Sequence, residues 1–260
     1  MKVAGRITLF GEAYGGLRPK ATASVPTTQA VFTGDDVALR RGRNTYVQEE
    51  DVVGRTLISL GAIEQMASPM ESDLPIEFGL ASSTALALAH LGRWVGAEVE
   101  ESVSQTDGGA NGFHPSGADF AAISNKEAGV FGLGVWTPLD IRLPSGSHLI
   151  LPEKEREFDK LRPTLAMRSA AEHLGPLIDR LVVELEASAE LDLDALLEYS
   201  RCLFDLDVYS KVQRGIIGPL LERGVVAKGV GAMYDRAILV LADAAIWEAS
   251  PPGEVLDQDG

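Results

Sequence analysis

Strand-like and helix-like patterns follow one another in two rounds along this chain of 260 residues. Residues 1–10 and 21–33 are rich in Val, Thr, Ile and Ala and read as strands. Gly34-Asp35-Asp36 reads as a turn, and Val37-Ala38-Leu39 opens a third strand. Val52, Val53, Leu57, Leu60, Ile63 and Met66 recur at helical spacing, which predicts a helix over 49–67. A second helix is expected from Ser82 to about Val95, burying Leu86, Leu88, Ala89 and Leu91. Gly108, Gly109, Gly112, Pro115 and Gly117 make 106–118 a loop, and 118–124 opens a short helix or an extended piece. The second round begins with strands at 130–136 and 148–151. Helices are expected at 167–187, 193–204 and 207–223, the last interrupted by Gly215, Gly218 and Pro219. Strands at 225–230 and 237–242 follow, then a polar, frayed tail from Pro251. This order predicts an α+β fold of two lobes, divided into 1–135 and 136–260.

Composition narrows the function classes. The chain is 45% hydrophobic and 23% charged, ordinary for a globular protein with a sizeable core. No apolar run approaches the roughly 18 residues of a membrane span. The sequence starts directly in strand-like residues with no signal peptide, and the single cysteine, Cys202, excludes an intrachain disulfide framework. A cytoplasmic setting is the expectation. A net charge of −15 argues against non-specific nucleic-acid and anionic-membrane binding, which need a cationic footprint. There is no Gly-Lys-Ser/Thr phosphate loop and no G-x-G-x-x-G. His90, His114, His148 and His173 show no metal-ligand spacing.

Three short segments carry the chemistry. Pro75 to Ala85 leads from a strand-like pair into a helix. Gly79 and Ala81 keep side-chain bulk low there, and Ser82 and Ser83 can cap the helix. A helix N-terminus offers unpaired N–H groups and the positive end of a dipole, which suits phosphate. The plain alternative is a serine-capped core helix. Asp119 ends the glycine-rich loop, where a carboxylate can take a proton from an attacking hydroxyl. Alone it reads equally as a helix cap or a turn aspartate. Asp107, at the front of that loop, is placed to hold Mg²⁺ or simply to face water. Arg6 sits in a strand between Gly5 and Ile7 and needs a partner; Asp119 would serve and would stay ionised beside it. Glu12, after Phe10-Gly11, is placed to orient a substrate or Arg6, or is a plain turn acid.

Taken in order, these segments resemble the GHMP kinases, the superfamily of galactokinase, homoserine kinase, mevalonate kinase and phosphomevalonate kinase. The first motif stands here as Ala4-Gly5-Arg6-Ile7-Thr8-Leu9-Phe10-Gly11-Glu12-Ala13, and the second as Pro75 through Ala85. Pro115-Ser116-Gly117-Ala118-Asp119 is similar to the Pro-Ser-Gly-x-Asp of mevalonate kinases. Lys228-Gly229-Val230-Gly231-Ala232 fits the start of the third motif. Ala4, Ala13, Glu77 and Ala81 depart from the family pattern, and glycines are missing after Ala232.

The resemblance implies a two-lobed fold with the active site between the lobes. It implies ATP- and Mg²⁺-dependent phosphorylation of a small alcohol, most like mevalonate, in isoprenoid biosynthesis. By it, Asp119 and Arg6 are catalytic. Gly79, Leu80, Ala81, Ser82, Ser83 and Thr84 cradle the nucleotide, and Ser83 and Asp107 hold Mg²⁺. Glu12, Lys20, Ser116 and Gly117 bind the acceptor. A homodimer is a common state of such kinases. A sugar or phosphomevalonate kinase of the same fold, or a pseudokinase that binds a metabolite or partner protein without turnover, are the alternatives.

Overall fold

The computed structural model describes residues 2–12, 21–33, 43–45, 70–75, 78–91, 117–152, 165–206, 208–231, 236–242 and 254–257. The expected helix at 49–67 and most of the glycine-rich loop lie outside them. The chain is α+β and forms two compact units: residues 1–6 with 26–126, and 7–25 with 127–260.

The first strands are β1 (Lys2–Phe10) and β2 (Ala21–Thr33), which pair with each other. In the first unit, β2 pairs antiparallel with β4 (Met70–Ser72), setting Val31 opposite Ser72 and Thr33 opposite Met70. β4 in turn pairs with β3 (Arg43–Thr45). Asp73 locks this corner, because its carboxylate accepts from the Ala30 N–H at 2.6 Å while its own N–H donates to the Ala30 carbonyl at 3.2 Å. Helices α1 (Ser82–Leu91) and α2 (Ala118–Asn125) pack on each other, burying Ala85, Leu86, Ala89, Ala121 and Ala122. Small alanines on this face let two short helices approach closely. Thus 118–125 resolves as a helix, and α1 is described as far as Leu91.

In the second unit, the first residues of β2 pair with β5 (Gly129–Gly132), and β5 forms a hairpin with β6 (Val135–Pro138). The single strand expected at 130–136 is therefore two. Leu133 and Gly134 turn the chain, with φ of 50° and 81°, the positive pair that matches the twist of a two-residue hairpin. A second sheet runs β10 (Glu254–Asp257), β7 (His148–Leu151), β9 (Ile238–Leu241), β8 (Val226–Gly229), all antiparallel. The frayed tail is corrected here: Glu254–Asp257 is a strand whose backbone finds an edge on β7.

Helices α3 (Leu165–Ser188), α4 (Leu193–Asp205) and α5 (Lys211–Glu222) accompany this sheet, with α4 and α5 both against β8. Asp192 caps α4 through the Ala195 N–H at 3.0 Å, and that bond, with Glu184 and Arg180 nearby, holds its carboxyl below the usual range despite desolvation. Ser210 and Gln213 form a reciprocal capping box on α5. The expected interruption of α5 does not occur: Ile217 is fully buried, and Gly218 leaves room for Phe204, whose ring tip would lie 3.2 Å from an added Cβ. Packing on both sides outweighs the weak propensity of Gly215, Gly218 and Pro219.

Candidate active site

Two glycines set where Arg6 lies. Gly5 has no side chain, and a Cβ there would come within 2.6 Å of both the Leu80 carbonyl oxygen and a Leu74 methyl. The strand therefore runs flush against the 78–81 turn, and the Arg6 N–H donates to the Leu80 carbonyl at 3.1 Å. Gly117, with φ of 81°, opens α2 and turns Asp119 into the first helical turn. The dipole end of α2 favours a carboxylate at that position.

The Arg6 guanidinium meets Asp119 there: Nη2 of Arg6 pairs with Oδ1 of Asp119. The two side chains differ in environment. Arg6 is 9% exposed and Asp119 43%, so the cation is fixed by its surroundings while the carboxylate remains open to a reactant. Nη1 of Arg6 is buried with no hydrogen-bond partner among the described residues. A guanidinium offers five N–H donors, so this arm has capacity left for an anionic oxygen.

The 78–84 turn has the form of an anion-binding element. Gly79 and Ala81 take φ of 80° and 55°, and Leu80 between them is fully buried. The Ala85 N–H closes the first helical bond on the Ala81 carbonyl at 3.0 Å, so the cap position of α1 falls on Ala81 and not on the serines. The backbone N–H groups that follow lack intrahelical partners. Ser82 and Thr84 are buried side chains of the first turn. The side chain of Ser83, with Lys20, Asp107 and Ser116, lies outside the described residues. An alanine in the left-handed region carries a steric penalty of roughly 1–2 kcal/mol that glycine avoids. Ala81→Gly is therefore expected to raise unfolding stability by about 1 kcal/mol, measured by denaturant titration.

Glu12 occupies a second cluster in the other unit. It is 3% exposed. Its Oε1 pairs with the Nζ of Lys228, and its Oε2 accepts from the Tyr199 hydroxyl at 2.8 Å. Lys228 is wholly buried and also donates to the carbonyls of Thr8 and Gly229, each at 3.0 Å. Those bonds match the three donors of an ammonium. Tyr199 accepts the Gly11 N–H at 3.0 Å, and Thr22 Oγ1 donates to the Gly11 carbonyl at 2.7 Å.

Tyr199 was not legible as a site residue. It lies on the apolar face of α4 and reads as core. Lys228 carried one signal, a charge between apolar neighbours in a strand, which demands a buried counter-ion. Nearby, the Tyr209 hydroxyl is buried and makes no hydrogen bond of normal geometry among the described residues, although the Gly229 N–H is close. Burial, then the Glu12 charge, pushes it well above the usual tyrosine range. The two tyrosines should respond differently to loss of the hydroxyl. Tyr199→Phe strips a donor from Glu12 and an acceptor from Gly11, at a cost of about 1–3 kcal/mol. Tyr209→Phe removes an unsatisfied group and is expected to be close to neutral. Urea unfolding of both variants checks this contrast.

No protein-family model and no curated protein sequence matches the chain. Solved structures do. The mevalonate kinase of Methanococcus jannaschii is 14% identical, with 95% of this chain and 91% of that one covered at a TM-score of 0.61. The phosphomevalonate kinase of Streptococcus pneumoniae, solved with phosphomevalonate and AMPPNP, is 15% identical over 94% and 92%, at 0.57. A D-glycero-D-manno-heptose 1-phosphate kinase from Bacteroides thetaiotaomicron is 13% identical over 98% and 94%, at 0.59. These likenesses span nearly the whole chain and show that it shares their fold.

Proposed function

We propose that this chain, which has the fold of the GHMP kinases, is a phosphotransferase that moves the γ-phosphoryl group of ATP to the hydroxyl of a small alcohol, with mevalonate or a close relative as acceptor. The observation that carries this reading is the pairing of Arg6, buried and with one arm unspent, with the half-open carboxylate of Asp119 at the N-terminus of α2. Asp119 accepts the acceptor's hydroxyl proton as the new O–P bond forms. The bond from the γ-phosphorus to its bridging oxygen breaks, and that electron pair leaves with ADP. Arg6 holds the Asp119 carboxylate in place and presents Nη1 to the oxygens of the transferring group.

The left-handed turn at Gly79 and Ala81 and the N-terminus of α1 suit the nucleotide phosphates. Ser83 and Asp107 are the residues we assign to Mg²⁺, which when bound neutralises charge on the phosphates. The kinases of similar fold are named for mevalonate, phosphomevalonate and a heptose phosphate, and these compounds define the acceptor panel.

Calorimetry with Mg-ATP, followed by ADP release with mevalonate, phosphomevalonate and sugars, tests the proposal. Nucleotide binding with turnover of one acceptor is expected. Absence of nucleotide binding would overturn it and leave a chain that uses this fold to bind a metabolite or partner.

A further inference from the structure

Behind Arg6 lies a corner that the proposed phosphoryl transfer does not use. Residues 72–74 close β4 with a dense set of bonds. The Ser72 hydroxyl donates to the Leu74 carbonyl at 3.1 Å and accepts the Leu74 N–H at 3.2 Å. Asp73 engages both backbone groups of Ala30, through its carboxylate at 2.6 Å and its own N–H at 3.2 Å. The Leu74 backbone is thus held at both of its polar groups, and its side chain is buried at 2% exposure. That side chain ends on β1. A Cβ on Gly5 would lie 2.6 and 3.0 Å from its two methyls, and 2.6 Å from the Leu80 carbonyl oxygen. Side chains alternate along β1, so the bare face of Gly5 and the Arg6 side chain lie on opposite sides of the strand. Leu74 therefore backs the strand one residue before the cation, while the Arg6 N–H is bonded to Leu80, itself fully buried. Close-packed contacts of this kind transmit displacement, because they leave little room to absorb it. All of these residues, with Asp119, belong to the first unit, 1–6 with 26–126.

We propose that Leu74, held by Ser72 and Asp73, is a positioning residue that seats β1 at Gly5 and so sets the guanidinium of Arg6 against Asp119. It acts through Arg6. The inference deepens the reading of Arg6 and Asp119 given under Proposed function and rests on it.

The test compares the full-length wild type with Leu74→Ala, Asp73→Ala and Asp73→Asn. Leu74→Ala opens a gap behind Gly5. Asp73→Ala takes the acceptor from the Ala30 N–H by changing an exposed residue, and Asp73→Asn keeps an acceptor oxygen there. Side-chain ¹⁵N NMR of arginine, with the Arg6 signal assigned by Arg6→Lys, reports guanidinium order without need of turnover. A positioning role predicts a shifted or broadened Arg6 signal in Leu74→Ala and Asp73→Ala, in variants that still unfold cooperatively, and a wild-type signal in Asp73→Asn. With the acceptor that the panel identifies, kcat of Leu74→Ala should fall roughly 10- to 100-fold. The KM for Mg-ATP should stay within about twofold, because the phosphate turn keeps its own anchor at Leu80. A lower melting temperature with an unchanged Arg6 signal would overturn the inference and leave a purely structural corner. Should Leu74→Ala fail to fold, Asp73→Ala is read by the same signal, and an unchanged signal there overturns the inference as well. If no acceptor turns over, the kinase reading fails by itself, and the NMR arm still decides the positioning role.

Discussion

Asp119→Asn is expected to lower kcat by about 10²- to 10⁴-fold while leaving the unfolding midpoint nearly unchanged. The amide keeps the shape of the carboxylate and still offers an oxygen to the Arg6 guanidinium, so the buried cation is not abandoned. What is lost is the proton acceptor and one full charge. The stability change is small because the Asp119 side chain is 43% exposed, and an ion pair so open to water contributes little. A steady-state assay with Mg-ATP and the acceptor, beside a thermal melt, separates the two effects. Wild-type rates in this variant would remove Asp119 from the mechanism. A large fall in melting temperature would instead make it a structural cap of α2.

The second large effect falls on stability. Lys228→Met leaves the Glu12 carboxylate at 1% exposure with its cation gone, and is expected to cost about 3–5 kcal/mol. The paired replacement Glu12→Gln/Lys228→Met removes both charges, and the amide oxygen it introduces still accepts from the Tyr199 hydroxyl. It should recover most of that loss. Urea denaturation of the two single variants and the double closes a mutant cycle whose interaction energy measures the pair. Strictly additive single effects would show that the two groups do not act together.

The elements set by local pattern were legible. The strand at 148–151 has the same bounds in sequence and structure, and the helices at 167–187 and 193–204 differ by two residues or fewer at either end. Helical spacing reports burial of one face, which both helices have, and the strand is a short apolar run buried on both faces. The misreadings share a cause. The 130–136 strand hid a hairpin because Leu133 takes a left-handed conformation that its residue type does not advertise, at 98% exposure. The break expected in α5 was overridden by packing, and 254–257 became a strand because β7 offered it an edge.

The site divides in the same way. Arg6, Asp119, Gly79 and Gly117 were named from residue type and spacing, since a strand arginine, a loop carboxylate and turn glycines declare their needs locally. The resemblance to the GHMP kinases added an order to them. The Glu12 environment was beyond that reach. Sequence reading left Glu12 to orient a substrate or Arg6, or to be a plain turn acid; in the structure its two oxygens meet Lys228 and Tyr199.

By itself, the sequence determined the strands and helices with one buried face, the acidic surface, and the candidate arginine and carboxylate. Only the tertiary structure decided that Lys228 meets Glu12 across 216 positions and that Tyr199 meets Gly11 across 188. Local spacing carries no information about partners so distant. Their pairing follows from buried charge, which has to find its counter-ion wherever the fold brings one within reach.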